Sequence, residues 1–209
     1  MAEVIPSILE KDFKEIERKV KTVEGLVEWV QIDIADGVLV PNKTFYDPQA
    51  YKKLPGSIKL EGHLMVADPV AYIKPLTDAG FKRLYAHIEA GKSEEFIDEV
   101  YKFDCQVGLA IDGPTKIEKI MPFLDNIDAV LVMTIDAGFS GRPFREDTLA
   151  KIRKIREAFF DLPIGTDGAM NDVNAAKTVA AGANIICSNS YIFSSADIKE
   201  RIRKLKNLI

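Results

Sequence analysis

Trp29-Val30-Gln31-Ile32-Asp33-Ile34-Ala35-Asp36-Gly37 carries the pattern of a β-strand: β-branched residues alternate with others until an Asp-Gly turn signal ends the run. Successive strand side chains point to opposite faces, so Val30, Ile32 and Ile34 share one apolar face. Trp29, Gln31, Asp33 and Ala35 share the other. A strand with an amide and a carboxylate on one face is either half solvated or lines a site. The flanking chain decides between these.

Upstream, Val4 to Leu9 is a short strand, and Asp12 reads as an N-cap with Glu15 completing a capping box for a helix to about Glu24. Downstream, a loop from Gly37 to Pro48 leads to a short helical segment ending at Leu54. Strand patterns then recur over Ile58–Val66, Arg83–Ala90, Gln106–Ile111, Ala129–Ile135 and Pro163–Gly168, and from Asn184 to Cys187. Helical spacing fills the gaps: Asp68-Pro69 to Ala79, a helix capped by Ser93, about Thr115 to Phe123, about Arg145 to Phe160, and a helix capped by Asn171 that ends at Gly182. A last helix runs from about Ala196 to Leu208. Eight strand–helix units without a linker predict a (β/α)8 TIM barrel formed by a single domain over residues 1–209. A doubly wound sheet would need a glycine-rich phosphate turn after its first strand, where this chain has Leu9-Glu10-Lys11-Asp12.

The 209 residues are 47% hydrophobic and 29% charged, enough apolar material for a full core. A net charge of −4 without a basic stripe argues against nucleic acid or membrane partners. Cys105 and Cys187 lie far apart in apolar surroundings and read as reduced thiols of a cytoplasmic protein. The N-terminal run has no basic segment and is interrupted by Pro6, so neither a signal peptide nor a membrane span is expected.

Barrel parity sorts the polar residues. With Val4, Pro6 and Ile8 toward the helices, Ser7 points into the lumen, as do Gln31 and Asp33 of the second strand. His63 and Met65 follow from the third strand, His87 and Glu89 from the fourth, and Asp167 from the seventh. Taken singly, each has a plain reading as a hydrogen-bonded core residue or part of a turn. Together they place both histidines of the protein and two aspartates in one lumen, toward the strand ends where barrel sites form. Buried charges must pair or bind something.

The same residues resemble the ribulose-phosphate 3-epimerase family. The matching pieces run through nearly the whole chain in order: Pro6-Ser7-Ile8-Leu9 with Asp12-Phe13, Asp33 with Asp36-Gly37, and Val40-Pro41-Asn42 with Thr44-Phe45. His63-Leu64-Met65-Val66, His87-Ile88-Glu89-Ala90, Val107-Gly108-Leu109-Ala110 and Leu131-Val132-Met133-Thr134 follow. Gly138-Phe139 with Gly141, Asp167-Gly168, and Ser190 with Ile192-Phe193 complete the series.

The resemblance implies a barrel of the ribulose-phosphate-binding type and an isomerase that epimerises a phosphorylated ketose through an enediolate. It implies Asp33 and Asp167 as the catalytic acid/base pair, one on each face of the substrate. It implies a divalent metal (Zn, Fe, Mn or Co) held by Asp33, His63 and Asp167, with no organic cofactor. Ser7, His63, Met65 and Met133 match substrate-lining positions. Gly138, Gly141, Arg142, Gly168, Ala169, Asn189 and Ser190 match the phosphate end.

Four kinds of departure stand out. Gln31 takes the place of the fourth metal ligand, a histidine, and an amide oxygen suits harder ions such as Mn²⁺ better than zinc. Ala35 replaces a methionine. Ser140, Ala169 and Asn189 replace glycines; a left-handed backbone would strain Ala169, whereas Asn189 tolerates it. Arg142 replaces a glutamine, and is either a phosphate contact or a surface residue.

Three functions follow for comparison. The first is an epimerase acting on a phosphorylated ketose. The second is a non-catalytic barrel that binds a phosphometabolite with a degraded metal site. The third is a metal-independent decarboxylase, for which the stretch from Lys59 to Asp68 offers no Asp-x-Lys-x-x-Asp pattern. The partners expected are a small phosphorylated sugar and, in a homo-oligomer, further copies of the chain.

Overall fold

The computed structural model describes residues 3–138 and 141–209; Phe139 and Ser140 lie outside the described residues. Eight parallel strands close into one barrel in sequence order: β1 (Glu3–Ile8), β2 (Trp29–Ala35), β3 (Lys59–Met65), β4 (Phe81–His87), β5 (Gln106–Ile111), β6 (Ala129–Met133), β7 (Ile164–Asp167) and β8 (Ile185–Ser188). The closing ladder pairs β1 with β8 from Glu3↔Ile185 to Pro6↔Ser188.

Helices pack outside. They are α1 (Phe13–Val23), α2 (Pro48–Tyr51), α3 (Val70–Asp78), α4 (Ser93–Val100), α5 (Thr148–Ala158), α6 (Asp172–Ala180), α7 (Ser190–Phe193) and α8 (Ile198–Lys206). No helix among the described residues is long and apolar enough to cross a membrane.

The strand alternation separates two cores. Val30, Ile32 and Ile34 join Leu60, Leu64, Leu84 and Ala86 in the layer between strands and helices. Ile5, Trp29, Ala35, Met65, Tyr85, Leu131, Met133 and Cys187 fill the lumen. Ser7, Gln31, Asp33, His63, Met65, His87 and Asp167 stand on strands and are buried as parity expects, whereas Glu89 lies beyond the end of β4 and is partly exposed. Gly108 has a local reason to lack a side chain, because a Cβ there would collide with the Tyr85 ring in the lumen.

Several local expectations are corrected. Thr115 to Phe123 is not one helix but two 3₁₀ segments, Ile117–Lys119 and Met121–Asn126. Pro122 lacks the N–H that a continuous helix needs and sits in the first turn of the second segment. β4 stops at His87, and Ile88–Ala90 forms a 3₁₀ turn closed by Gly91 in a left-handed conformation. The capping box of α1 is half formed: Asp12 accepts from the Lys14 N–H, but Glu15 turns outward to Arg18. Ser93 is the first residue of α4 rather than its cap. α5 starts at Thr148, after Arg145 is drawn toward Asp136 and Asp147.

Candidate active site

Sheet register places the site. Asp33 pairs with His63 and Ala35 with Met65 across β2 and β3. Met133 pairs with Asp167 across β6 and β7, and Ser7 with Gln31 across β1 and β2. Neighbours at one level of a parallel sheet present side chains to the same face, so the polar residues meet at the C-terminal end of the lumen.

Two threonines secure the carboxylate-bearing strand ends. The Thr44 hydroxyl donates to the Asp33 carbonyl at 2.9 Å and accepts from the Ala35 N–H. The Thr134 hydroxyl donates to the carbonyls of Asp167 and Gly168, while its own N–H donates to the Asp167 carbonyl at 2.7 Å. Asp36 closes the turn after β2, accepting from the N–H groups of Val38, Leu39 and Ala67. Those backbone donors outweigh burial and hold its carboxyl below the usual range.

At the centre, Gln31 Nε2 donates to Asp33 Oδ1 at 2.8 Å and to Asp167 Oδ2 at 2.6 Å. His63 Nδ1 lies 2.9 Å from Asp33 Oδ1 and 3.8 Å from Asp167 Oδ2. On its other side, His63 Nε2 meets His87 Nε2 at 2.8 Å, and His87 Nδ1 meets Glu89 Oε2 at 3.0 Å.

Burial is the main cause that pushes Asp33 up to about 7, against the Gln31 hydrogen bond. It also pushes Asp167 up to about 7, with the charge of Asp33 adding to it. Burial and the neighbouring His87 hold the His63 imidazole down, to about 3. The centre thus has carboxyls poised near neutrality beside a neutral imidazole.

One ligand atom from each of Asp33, His63 and Asp167 lies within 4.8 Å of the other two. A tetrahedral ion with bonds near 2.1 Å spans donors roughly 3.4 Å apart. The separations of 2.9 and 3.8 Å from His63 Nδ1 to the two carboxylates bracket that value. Gln31 as oriented turns N–H toward both carboxylates, which leaves its Oε1 buried without a hydrogen-bond partner. A half-turn of the amide exchanges the two atoms and brings an oxygen donor to the same point. The donor set fits a divalent ion, with a weak fourth ligand.

A cleft opens above this cluster, lined by Ser7, Leu9, Asp33, His63, Met65, Met133, Ile135, Gly138, Gly141, Asp167, Gly168, Ala169, Asn189 and Ser190. Of the residues expected at the site, two do not line the cleft: Gln31, which bridges Asp33 and Asp167, and Arg142, whose guanidinium Nη1 lies 3.8 Å from Asp136 Oδ2. Gly138, Gly141 and Gly168 have φ of 110°, 83° and 112°. Ala169 has φ 53°, the left-handed conformation expected to strain it, and its carbonyl is held by the Asn174 amide at 2.7 Å. Asn189 does not use left-handed geometry: its φ is −105°, so the last turn does not need a glycine. Its side-chain oxygen lies 3.4 Å from Lys19 Nζ, which also pairs with Glu10.

Sequence reading passed over the lumen floor. Arg83 Nη1 donates to Glu61 Oε2 at 2.8 Å and stacks its guanidinium 4.3 Å from the Trp29 ring. The signal was available: Glu61 stands two residues before His63, and Arg83 four before His87, on the same strand faces.

A closed (β/α)8 barrel with buried acids and an imidazole at the strand carboxyl ends is the arrangement of a barrel enzyme. The sequence matches the ribulose-phosphate 3 epimerase family over residues 3–193. It is 32% identical over 215 residues to the ribulose-phosphate 3-epimerase of Schizosaccharomyces pombe, covering 100% of this chain and 94% of that protein. It is 35% identical over 201 residues to the ribulose-phosphate 3-epimerase of Rhodobacter capsulatus, covering 93% and 87%. The chain belongs to the ribulose-phosphate 3-epimerase family. The solved 3-hexulose-6-phosphate synthase of Salmonella typhimurium shares the fold, with a TM-score of 0.77 at 14% identity over 99% of this chain and 97% of that one.

Proposed function

We propose that this protein epimerises a phosphorylated ketopentose, D-ribulose 5-phosphate or a close relative, at the carbon beside its carbonyl. The observation that carries the reading is the pair Asp33 and Asp167: two buried carboxyls, each pushed up to about 7, facing one cleft from different strands. Inversion needs a base on one face and an acid on the other. A carboxyl near 7 can serve in either state at neutral pH. One aspartate, ionised, takes the proton from C3; the other, protonated, gives its proton to C3 from the opposite side. The reverse reaction exchanges the two roles.

Ser7, His63, Met65 and Met133 surround the reacting carbons and exclude water. The backbone at Gly138, Gly141, Gly168, Ala169, Asn189 and Ser190 receives the phosphate, as barrel phosphate turns do. Arg142 is left outside this reading. A divalent ion held by Asp33, His63 and Asp167, with Gln31 Oε1 as a weak fourth donor, would supply the positive charge that steadies an enediolate. Two carboxylates and an amide oxygen favour Mn²⁺ or Fe²⁺ over Zn²⁺ in that place. Free Cys105 and Cys187 support work in a reducing, cytoplasmic compartment.

A barrel that only binds the phosphosugar is the second reading, favoured by the Gln31 amide standing between the two carboxylates. One experiment separates them. The protein is incubated with D-ribulose 5-phosphate in D₂O with Mn²⁺, and deuterium at C3 is followed by NMR. Exchange is expected, and Asp33→Asn and Asp167→Asn should each lower it by at least about 10³-fold. Binding of the sugar phosphate without exchange, across Mn²⁺, Fe²⁺, Co²⁺ and Zn²⁺, would establish the binding-only reading instead.

A further inference from the structure

Behind His63 lie two residues, His87 and Glu89, to which the proposed reaction gives no role. A chain of contacts starts at the partly exposed Glu89 and runs inward through His87 and His63 to Asp33, with successive separations of 3.0, 2.8 and 2.9 Å. The two imidazole rings meet edge to edge through their Nε2 nitrogens, with centroids 5.0 Å apart and planes 26° from parallel. Each His–His contact of this kind holds one proton, because two N–H groups cannot point at each other.

The outer end fixes the direction of the chain. Glu89 Oε1 accepts from the Asp112 N–H at 3.0 Å, and Thr115 adds a side-chain hydrogen bond. Burial works against the charged carboxylate, but these bonds and that from His87 outweigh it and hold Glu89 at about 2. An ionised carboxylate only accepts, so the proton between Glu89 and His87 sits on His87 Nδ1. With one proton on each ring, His87 accepts at Nε2 and His63 donates from its own Nε2.

We infer that Glu89 and His87 are positioning residues that hold His63 in the Nε2–H tautomer, with the Nδ1 lone pair facing Asp33 and Asp167. This deepens the proposed function of the same site, because Nδ1 is the atom that His63 would offer to a divalent ion. In the metal-free protein, the 2.9 Å contact between His63 Nδ1 and Asp33 Oδ1 is then one in which the ring nitrogen accepts and the Asp33 carboxyl donates. Without the outer pair, His63 would move its proton to Nδ1, donate to Asp33, and lose the lone pair as a ligand.

The test reads the tautomer directly and needs no turnover. The protein has only two histidines, both in this chain of contacts, so ring-¹⁵N histidine labelling gives two resolved spin systems. Chelator-treated protein at neutral pH should show His63 protonated on Nε2 and bare on Nδ1, with His87 the reverse. His87→Leu should move the His63 proton to Nδ1 and weaken Mn²⁺ binding by about 10–100-fold. His87→Gln, whose amide oxygen can accept from Nε2–H, should restore both. Glu89→Leu, at the exposed end, should lose the single His87 tautomer and serves if His87→Leu fails to fold. His63 protonated on Nδ1 in the unaltered protein, or an unchanged His63 in His87→Leu, would overturn the inference. Absence of C3 exchange with the expected tautomers would remove the epimerase reading and leave this one standing.

Discussion

Gln31 Nε2 lies 2.6 Å from Asp167 Oδ2, across 136 residues of sequence. With its second contact to Asp33 Oδ1, this one amide joins two acids that would otherwise repel. It does so as a donor, whereas an imidazole at the same place would offer a lone pair. Gln31→His should therefore tighten divalent-metal binding by at least about tenfold, measured by calorimetric titration of chelator-treated protein with Mn²⁺ and Zn²⁺. The gain should be larger for Zn²⁺, which prefers nitrogen. Equal or weaker binding in Gln31→His would mean that position 31 is not at the metal site.

The metal-free protein should lose stability as pH rises through neutrality. Asp33, Asp167 and Glu61 are each raised to about 7, with burial as the first cause. Each binds its proton more tightly folded than unfolded, so its contribution is complete below the unfolded carboxylate range near 4 and is lost as pH climbs through 7. His63, held at about 3, has the opposite sign and returns stability as pH rises toward 6.5, which offsets part of the loss from the three acids; Glu89, held at about 2, shares that sign but changes only below about pH 4.5. Urea unfolding at constant ionic strength should give a free energy at pH 8 lower than at pH 5 by at least about 1 kcal/mol. Asp33→Asn should flatten that slope, and saturating Mn²⁺ should reverse it, since the ion binds the deprotonated acids. A profile that rises from pH 5 to pH 8 without metal would contradict the burial argument.

Ala169 is the only non-glycine with positive φ among the described residues. A left-handed alanine carries roughly 1 kcal/mol of strain, so Ala169→Gly should relieve some of it, offset by the extra freedom of an unfolded glycine. The expected net effect is small, within about 0.5 kcal/mol in urea unfolding, with a lower KM for the sugar phosphate if backbone fit limits phosphate binding. The neighbouring Gly168→Ala should do the opposite. At φ 112° its added Cβ would collide with Ile135, and thermal denaturation should show a clear drop in Tm. A large loss of stability in Ala169→Gly would show that the turn depends on the alanine methyl group.

The floor of the lumen makes a separate prediction. Glu61 is fully buried and meets the Arg83 guanidinium at 2.8 Å. Removing the cation alone leaves the buried carboxyl without its partner, so Arg83→Leu should cost about 3–5 kcal/mol. Glu61→Leu with Arg83→Leu together should recover most of that loss, because two apolar groups replace a desolvated pair. Additive losses in the double variant would mean that packing of Arg83 on Trp29, rather than the charge pair, supports the floor.

The barrel was legible from strand periodicity because β2, β3 and β4 are long enough for parity to be unambiguous. Asp33, His63 and His87 were put inside by that rule alone. β7 has only four residues, and Asp167 was harder to orient before its register with Met133 was known. Three features were not legible. Which atom of Gln31 faces the acids depends on a torsion that no spacing encodes. The left-handed φ of Ala169, whose carbonyl the Asn174 amide holds, and the φ of −105° at Asn189 do not follow from those residues' own preferences. The 3₁₀ pair between β5 and β6 came from a proline whose effect on an amphipathic pattern is easy to underrate.

The closed ladder also bears on when, during folding, a site of this kind comes into being. Asp33 and His63 sit on adjacent strands and can meet as soon as β2 and β3 pair. Asp167 has no fixed distance from either until β8 is seated between β7 and β1 and the ring is complete. A chain whose last strand is not yet paired would hold Asp33 and His63 together and Asp167 near the far edge of an open sheet. The final strand pairing thus makes the barrel whole and assembles its chemistry in one event, and an incomplete barrel has no working site to expose.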